Sequence, residues 1–168
     1  DYWQLGTDGD GDGKVNLKTS PPDVILTAAR LLQQRGWRAG EPWLEAVQVP
    51  DSTTFPWEQA GMDRWLTRGQ WLEWGVKSAS NADAALPAVL LLPLGRHGPA
   101  FLAYPNFAVF LEWNRSLVYS TTAAYFATRL EGAPVFAAGN PSPALAGEEI
   151  QTLQRRLEAR GHDVGGVD

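Results

Sequence analysis

The sequence predicts an α+β fold: mainly helical, with an acidic loop leading into the first long helix and a small antiparallel β region behind it. Three observations carry this. Asp8-Gly9-Asp10-Gly11-Asp12-Gly13 alternates carboxylates with glycines. Val24, Ile25, Ala28, Ala29, Leu31 and Leu32 recur at helical spacing. Residues 86–94 form an apolar run bounded by prolines, followed closely by Pro99-Ala100-Phe101-Leu102-Ala103, the pattern of two buried strands.

Alternating carboxylates are a poor way to build a strand or a helix, because they repel and their glycines lose backbone entropy on ordering. A hard cation among them resolves both difficulties. Calcium takes about six to eight oxygen ligands, and an EF-hand loop offers side chains at positions 1, 3 and 5, glycine at 6 and a carbonyl at 7. Those positions are Asp8, Asp10, Asp12, Gly13 and Lys14, with Val15 as the apolar residue after them. An exposed Asp/Gly turn is the competing reading, but it needs neither the strict alternation nor Val15. Position 12 holds Thr19 where a glutamate normally binds, so Asp23, the next carboxylate, is expected to close the site. Asp23 has a second role open to it, as the acidic partner of a capping box begun by Ser20.

The helix from Ser20 is stopped by Gly36. Trp37 is expected in the core. Residues 43–49 read as a short strand and residues 70–76 as a short helix. Gly95-Arg96-His97-Gly98 is a hairpin turn, with His97 on the surface. Residues 105–131 read as two helices with Ser116 capping the second. Residues 132–147, rich in Pro, Ala and Gly, read as a linker, and 148–160 as an amphipathic helix through Ile150, Leu153 and Leu157.

At 168 residues the chain is long enough for a real core. A net charge of −5 argues against a nucleic-acid backbone as partner. The absence of cysteine excludes disulfides and thiolate metal sites. No apolar run reaches the ~18 residues of a membrane span. The start at Asp1 and the stop after Gly165-Gly166-Val167-Asp168 read as cuts in a longer protein. Phosphate loops, dinucleotide fingerprints, zinc helices and serine elbows are missing, and His97 and His162 are far apart in sequence. The residues alone lead to a calcium-stabilised α+β module.

Five motifs go further. Gly6-Thr7-Asp8 through Gly13 with Val15-Asn16-Leu17; Gly36-Trp37-Arg38 with Gly40-Glu41-Pro42-Trp43; Gly98-Pro99-Ala100-Phe101; Tyr104-Pro105-Asn106-Phe107; and Trp113-Asn114-Arg115-Ser116 with Tyr119 together resemble the membrane-bound lytic murein transglycosylase B family over about residues 5–131. The tail, from Leu153-Gln154 to Gly165-Gly166-Val167-Asp168, resembles the opening of a peptidoglycan-binding domain. The resemblance implies a domain plan: 1–131 as the C-terminal part of a lysozyme-like transglycosylase domain (loop 8–23, β region 43–103, helices 105–131), a linker at 132–147, and a second domain starting at 148–168.

The resemblance also implies a chemistry. The family cleaves the β-1,4 bond between N-acetylmuramic acid and N-acetylglucosamine in bacterial peptidoglycan and leaves a 1,6-anhydromuramoyl end. One glutamate, set between motif glycines ahead of the calcium loop, serves as acid and then as base. None of the glutamates here has that setting. No catalytic residue is therefore assigned in this chain, which alone is expected to be inactive. The glycan contacts implied are Asn114, through the N-acetyl group or the sugar ring, and Trp113 and Tyr119 as aromatic walls. Trp113 stands where the family usually has Tyr. Core packing is the alternative for both aromatics, and a helix-junction role for Asn114. Partners are glycan strands, and the location is periplasmic or outer-membrane associated. The rival reading is a non-catalytic, calcium-stabilised module that binds cell-wall glycan or a protein.

Overall fold

The two apolar runs pair as a hairpin at the centre of the molecule. In the computed structural model, which describes residues 2–165, β3 (Pro87–Leu91) and β4 (Ala100–Ala103) run antiparallel with Val89 opposite Ala103. β1 (Leu44–Val47) pairs with β4, and the two-residue β2 (Leu66–Thr67) with β3, giving the order β1-β4-β3-β2. β4 is buried at every position. Such a strand reads as continuous apolar sequence because both its faces are covered.

One face carries Leu90, Leu102 and Tyr104 against Phe55, Trp71 and Val76. Trp71 belongs to α3 (Arg68–Glu73). That helix begins two residues earlier than Gln70 because Thr67 and Gln70 form a capping box. The other face carries Leu44, Val89, Leu91, Phe101 and Ala103 against Phe107 and Ala124. These come from α4 (Pro105–Trp113) and α5 (Leu117–Leu130), and Ser116 caps α5 as expected, its hydroxyl accepting from Tyr119 N. A 3₁₀ turn at Trp57–Gln59 and a one-turn α1 (Tyr2–Leu5) lie outside the expected elements.

α2 (Pro21–Gln34) forms where expected, but its apolar stripe is only partly covered. Leu31 and Leu32 are half-buried, whereas Val24 and Ile25 are exposed. Beyond it Trp37 packs its ring against Trp43 and Phe110, at 5.7 and 5.9 Å between centroids.

Asn106 is fully buried and binds the turn that follows α2. Its Oδ1 accepts from Arg38 N, and its Nδ2 donates to the carbonyls of Arg38 and Glu41 at 2.8 and 2.9 Å. Trp43, at the end of that turn, donates its indole N–H to Ala124 O of α5. Two of the sequence motifs are thus the two halves of one joint.

Residues 132–147 do not hang free at their start. Phe136 packs edge-on against Phe101 and Tyr125. Asn140 N donates to His97 O at 2.7 Å, and His97 is exposed as expected. Gly139 is required there: its φ is +68°, and a Cβ would lie 2.2 Å from His97 O. α6 (Gly147–Glu158) follows with Ile150 and Leu153 half-exposed. Residues 166–168, part of the stretch that resembles a second domain, lie outside the described residues. Among those described, no helix is long and apolar enough to cross a membrane.

The Asn106 joint makes a measurable claim. Asn106→Ala leaves Arg38 N and Glu41 O, both partly buried, without their Asn106 partner, and denaturant unfolding is expected to show a loss of about 3 kcal/mol. A loss under ~1 kcal/mol would show that the turn satisfies itself.

Candidate functional site

The acidic loop is folded by its own backbone. Asp8 accepts from Gly11 N through Oδ1 and from Gly13 N through Oδ2, at 2.7 and 2.8 Å. Asp12 Oδ1 accepts from Lys14 N at 2.8 Å, and Asp10 Oδ2 accepts from the Ser20 hydroxyl at 2.8 Å. The turns this needs put Gly11 and Gly13 at φ +78° and +84°. As a result one carboxylate oxygen from each of Asp8, Asp10 and Asp12 lies within 4.8 Å of the others. Among the described residues no Lys or Arg forms an ion pair with any of the three. Three clustered, partly or fully exposed carboxylates without a cationic partner fit a hard divalent ion. The Lys14 carbonyl stands at the position that supplies the backbone oxygen in an EF-hand.

Asp23 sits apart from that group. It is buried, 1% exposed. Its Oδ1 accepts from Gly9 N at 2.8 Å and its Oδ2 from Asn16 N at 2.7 Å. Both oxygens accept backbone N–H groups, so Asp23 ties the loop to the start of α2; a carboxylate oxygen keeps a further lone pair, and these bonds are compatible with the ligand role expected from the sequence. The loop lies so close to the start of α2 that a Cβ on Gly9 would come 2.5 Å from the Pro22 carbonyl. Thr19, at the twelfth loop position, accepts from Asn16 Nδ2 through its hydroxyl.

The second region is the junction between α4 and α5. Asn114 ends α4 and is half-buried. Its Oδ1 accepts from Ser116 N at 3.0 Å, and its carbonyl accepts from the buried Ser120 hydroxyl at 2.8 Å. Its side-chain N–H groups have no partner among the described residues and remain available as donors. Asn114 is thus a junction residue with a free donor. Trp113 and Tyr119 are 60% and 54% exposed, so neither is spent on the core.

One buried polar cluster had no signal in the sequence. Arg68 Nε donates to Glu45 Oε1 at 3.2 Å, and its guanidinium reaches the Ser78 hydroxyl and the Ser80 carbonyl. Burial first, and the Glu45 charge second, push the Tyr104 phenol above its ordinary range, so it stays neutral. The cluster ties β1, α3 and residues 78–80 together. A lone Glu in a short strand and an Arg after a cap carry no pattern that pairs them.

A sheet covered on both faces, a helix pair across one face and an acidic loop at the head of α2 define a lysozyme-like fold with a small antiparallel sheet. Residues 1–128 match the family described as the Transglycosylase SLT domain, and the chain belongs to that family. It is similar to SltB3 of Pseudomonas aeruginosa, solved in complex with NAG-anhNAM-pentapeptide: 34% identity, 99% of this chain, 46% of that one, TM-score 0.84. The same protein with NAG-NAM-pentapeptide matches at TM-score 0.83. Slt35 of Escherichia coli, solved in complex with calcium, shares the fold at 24% identity and TM-score 0.56, over 77% of this chain and 42% of that one. The chain therefore spans less than half the length of these proteins. Among curated protein sequences no match is found.

The Asp23 clamp has a pH signature. The N–H groups of Asn16 and Gly9 hold its carboxyl below the ordinary value of 3.8, against the opposing push of burial. A lowered folded-state value stabilises the protein above the unfolded value, and that stabilisation is lost as pH falls below about 3.8. In chelator, the melting temperature is expected to drop as pH falls through this window, and Asp23→Asn is expected to flatten that drop. An unchanged profile in Asp23→Asn would contradict the clamp.

Proposed function

We propose that this chain is part of a peptidoglycan lytic transglycosylase of the membrane-bound murein transglycosylase B type. It contributes a calcium loop and one wall of the glycan cleft, and the catalytic glutamate is supplied from outside it. The bond broken is the β-1,4 link between N-acetylmuramic acid and N-acetylglucosamine, and the product carries a 1,6-anhydro ring. The observation that carries this reading is the overlay of 99% of the chain, at 34% identity, on a protein crystallised with both NAG-NAM-pentapeptide and NAG-anhNAM-pentapeptide. The absence of any glutamate between motif glycines supports a catalytic acid from elsewhere. The proposed setting is the periplasm or the outer membrane, where the polymer lies. The stretch 148–168 is proposed as the opening of a peptidoglycan-binding domain.

In this reading Asn114 donates from its free amide to an N-acetyl carbonyl or a ring oxygen, and Trp113 and Tyr119 offer exposed rings to the sugar faces. Asp8, Asp10 and Asp12, with the Lys14 carbonyl, hold one calcium ion. Its contribution is structural: it neutralises the three carboxylates and fixes the loop against α2. Asp23 braces the loop through its two backbone hydrogen bonds and closes the site as the remaining carboxylate ligand.

A protein carrying this chain together with its catalytic glutamate is expected to release 1,6-anhydromuropeptides from purified peptidoglycan, read by mass spectrometry. Hydrolysed reducing ends in their place, or binding without cleavage, would overturn the reading. Asn114→Ala in that protein is expected to lower turnover about tenfold or more while the melting temperature stays within a few degrees.

For calcium, saturating ion is expected to stabilise the chain by about 2–3 kcal/mol, or roughly 4–12 °C for a chain of this size. Chelator, Asp8→Ala and Asp12→Ala should each abolish the shift. A melting temperature indifferent to chelator would remove the ion from the account.

A further inference from the structure

α5 is largely uncharged all round, yet among the described residues one side of it is covered and the other is open. Its sequence, LVYSTTAAYFATRL, holds a single charged residue, Arg129. The guanidinium of Arg129 turns to the Ala133 carbonyl beyond the helix end. On the covered side Ser120, Thr121 and Ala124 are buried, Ala124 against the sheet. On the open side Val118, Phe126 and Leu130 are 75%, 62% and 73% exposed. With Thr122 they stand four residues apart, in one row along the helix. Thr122 donates its hydroxyl to Val118 O at 2.9 Å, so the row asks for no polar partner from outside.

A solvated helix is built differently. α6 also shows half-exposed apolar residues, Ile150 and Leu153, but it sets Glu148, Glu149, Arg155, Arg156 and Glu158 around them. Helices without such a polar face are found buried, and a contiguous apolar patch marks an interaction surface. At 1.5 Å per residue the row from Val118 to Leu130 runs for about 18 Å. Residues four apart form the ridge that interdigitates with a neighbouring helix at about 8–10 Å.

We propose that this face of α5 is a seam, and that the segment seated on it is a helix, apolar on its facing side, from the glutamate-bearing part of the same protein. The inference rests on the glycan reading given above. Two observations select this occupant. The overlay on SltB3 takes in 99% of this chain and 46% of that one, so more than half of such a protein lies outside the chain. α5 also starts directly after Ser116, two residues beyond Asn114. A glutamate that protonates the glycosidic oxygen must come within hydrogen-bond reach of the sugar that Asn114 contacts, so its segment passes the head of this helix. A sugar face fits the row poorly, because beyond Tyr119 it offers no free polar group. Two copies of the chain meeting along one row this short would fall below the roughly 1,200 Å² of a stable interface.

The test places the same substitutions in two settings: this chain by itself, and the protein that carries it together with the catalytic glutamate. Phe126→Gln keeps a good helix former at an exposed position, so the chain alone is expected to melt within about 2 °C of its parent. In the longer protein the same change is expected to lower the melting temperature by roughly 5 °C or more, because a buried ring is lost. Leu130→Gln should repeat that contrast. The chain has no cysteine of its own, and the thiol introduced by Phe126→Cys gives a direct reading of cover. Followed on its own peptide by mass spectrometry, it is expected to react with a maleimide about tenfold or more slowly in the longer protein than in the chain alone. A thiol equally open in both settings, or a melting temperature that falls equally in both, overturns the seam; release of 1,6-anhydromuropeptides by that protein then leaves the glycan reading intact. A thiol shielded in the chain alone and opened by dilution gives the face to a second copy, and one shielded only by added tetra-N-acetylchitotetraose gives it to glycan. Either result overturns the proposal. An open thiol in a longer protein that releases no anhydro product overturns both readings.

Discussion

One buried carboxylate sets where the acidic loop stands. Asp23 takes the N–H of Gly9 on one oxygen and the N–H of Asn16 on the other, so the two ends of the loop meet over the first turn of α2. The close approach of Gly9 to Pro22 follows from that clamp and leaves no room for a side chain. Thr7 adds a further tie, its N–H donating to Thr27 Oγ1 of the same helix. With the ends held, the chain between them has little choice but to turn at its glycines, and the three aspartates converge. The cluster is a product of the frame, and an ion that neutralises it gains a site whose ordering entropy is already largely met.

The helix junction is held by a comparable device. Asn106 binds the turn of residues 38–41, and Trp43 at its end bonds to α5. The turn, the pair α4 and α5, and the sheet face beneath them are therefore one packed unit, which leaves Trp113 and Tyr119 outward and Asn114 with a donor to spare. Two of the motifs that look separate along the chain, Gly36–Trp43 and Tyr104–Phe107, are neighbours because Asn106 of one bonds the backbone of the other. Residues that carry the family resemblance, Asn106 and Trp43 among them, here hold the fold together.

The sequence was most informative where a physical requirement is local. Alternating aspartates and glycines mark the loop because like charges at that spacing have few other uses. Prolines bracketing an apolar run mark a strand buried on both sides, and Ser116 marks a helix start through one hydrogen bond. It was least informative where the deciding partner lies far along the chain. Asp23 reads as a ligand or a cap from its neighbours alone, and its role as a clamp depends on Gly9 and Asn16 folding over it. The Glu45–Arg68 pair spans 23 residues and has no local signature. The stretch from 132 reads as a linker by composition, yet Phe136 and Asn140 strap its beginning to the sheet. The stripe on α2 has true helical spacing, but periodicity says which residues share a face and not how much of that face is covered.

The central claim is that a frame closed by Asp23 gathers three carboxylates into one cation site. Carbon-detected NMR of the side-chain carboxyls, during calcium addition to the chelator-stripped chain, addresses it without relying on stability or activity. The account predicts that the Asp8, Asp10 and Asp12 carboxyl signals shift together and stop at one ion per chain, with the Gly9 and Asn16 amides still bonded to Asp23. Three carboxyls that titrate independently, or stay unmoved at excess calcium, would contradict it.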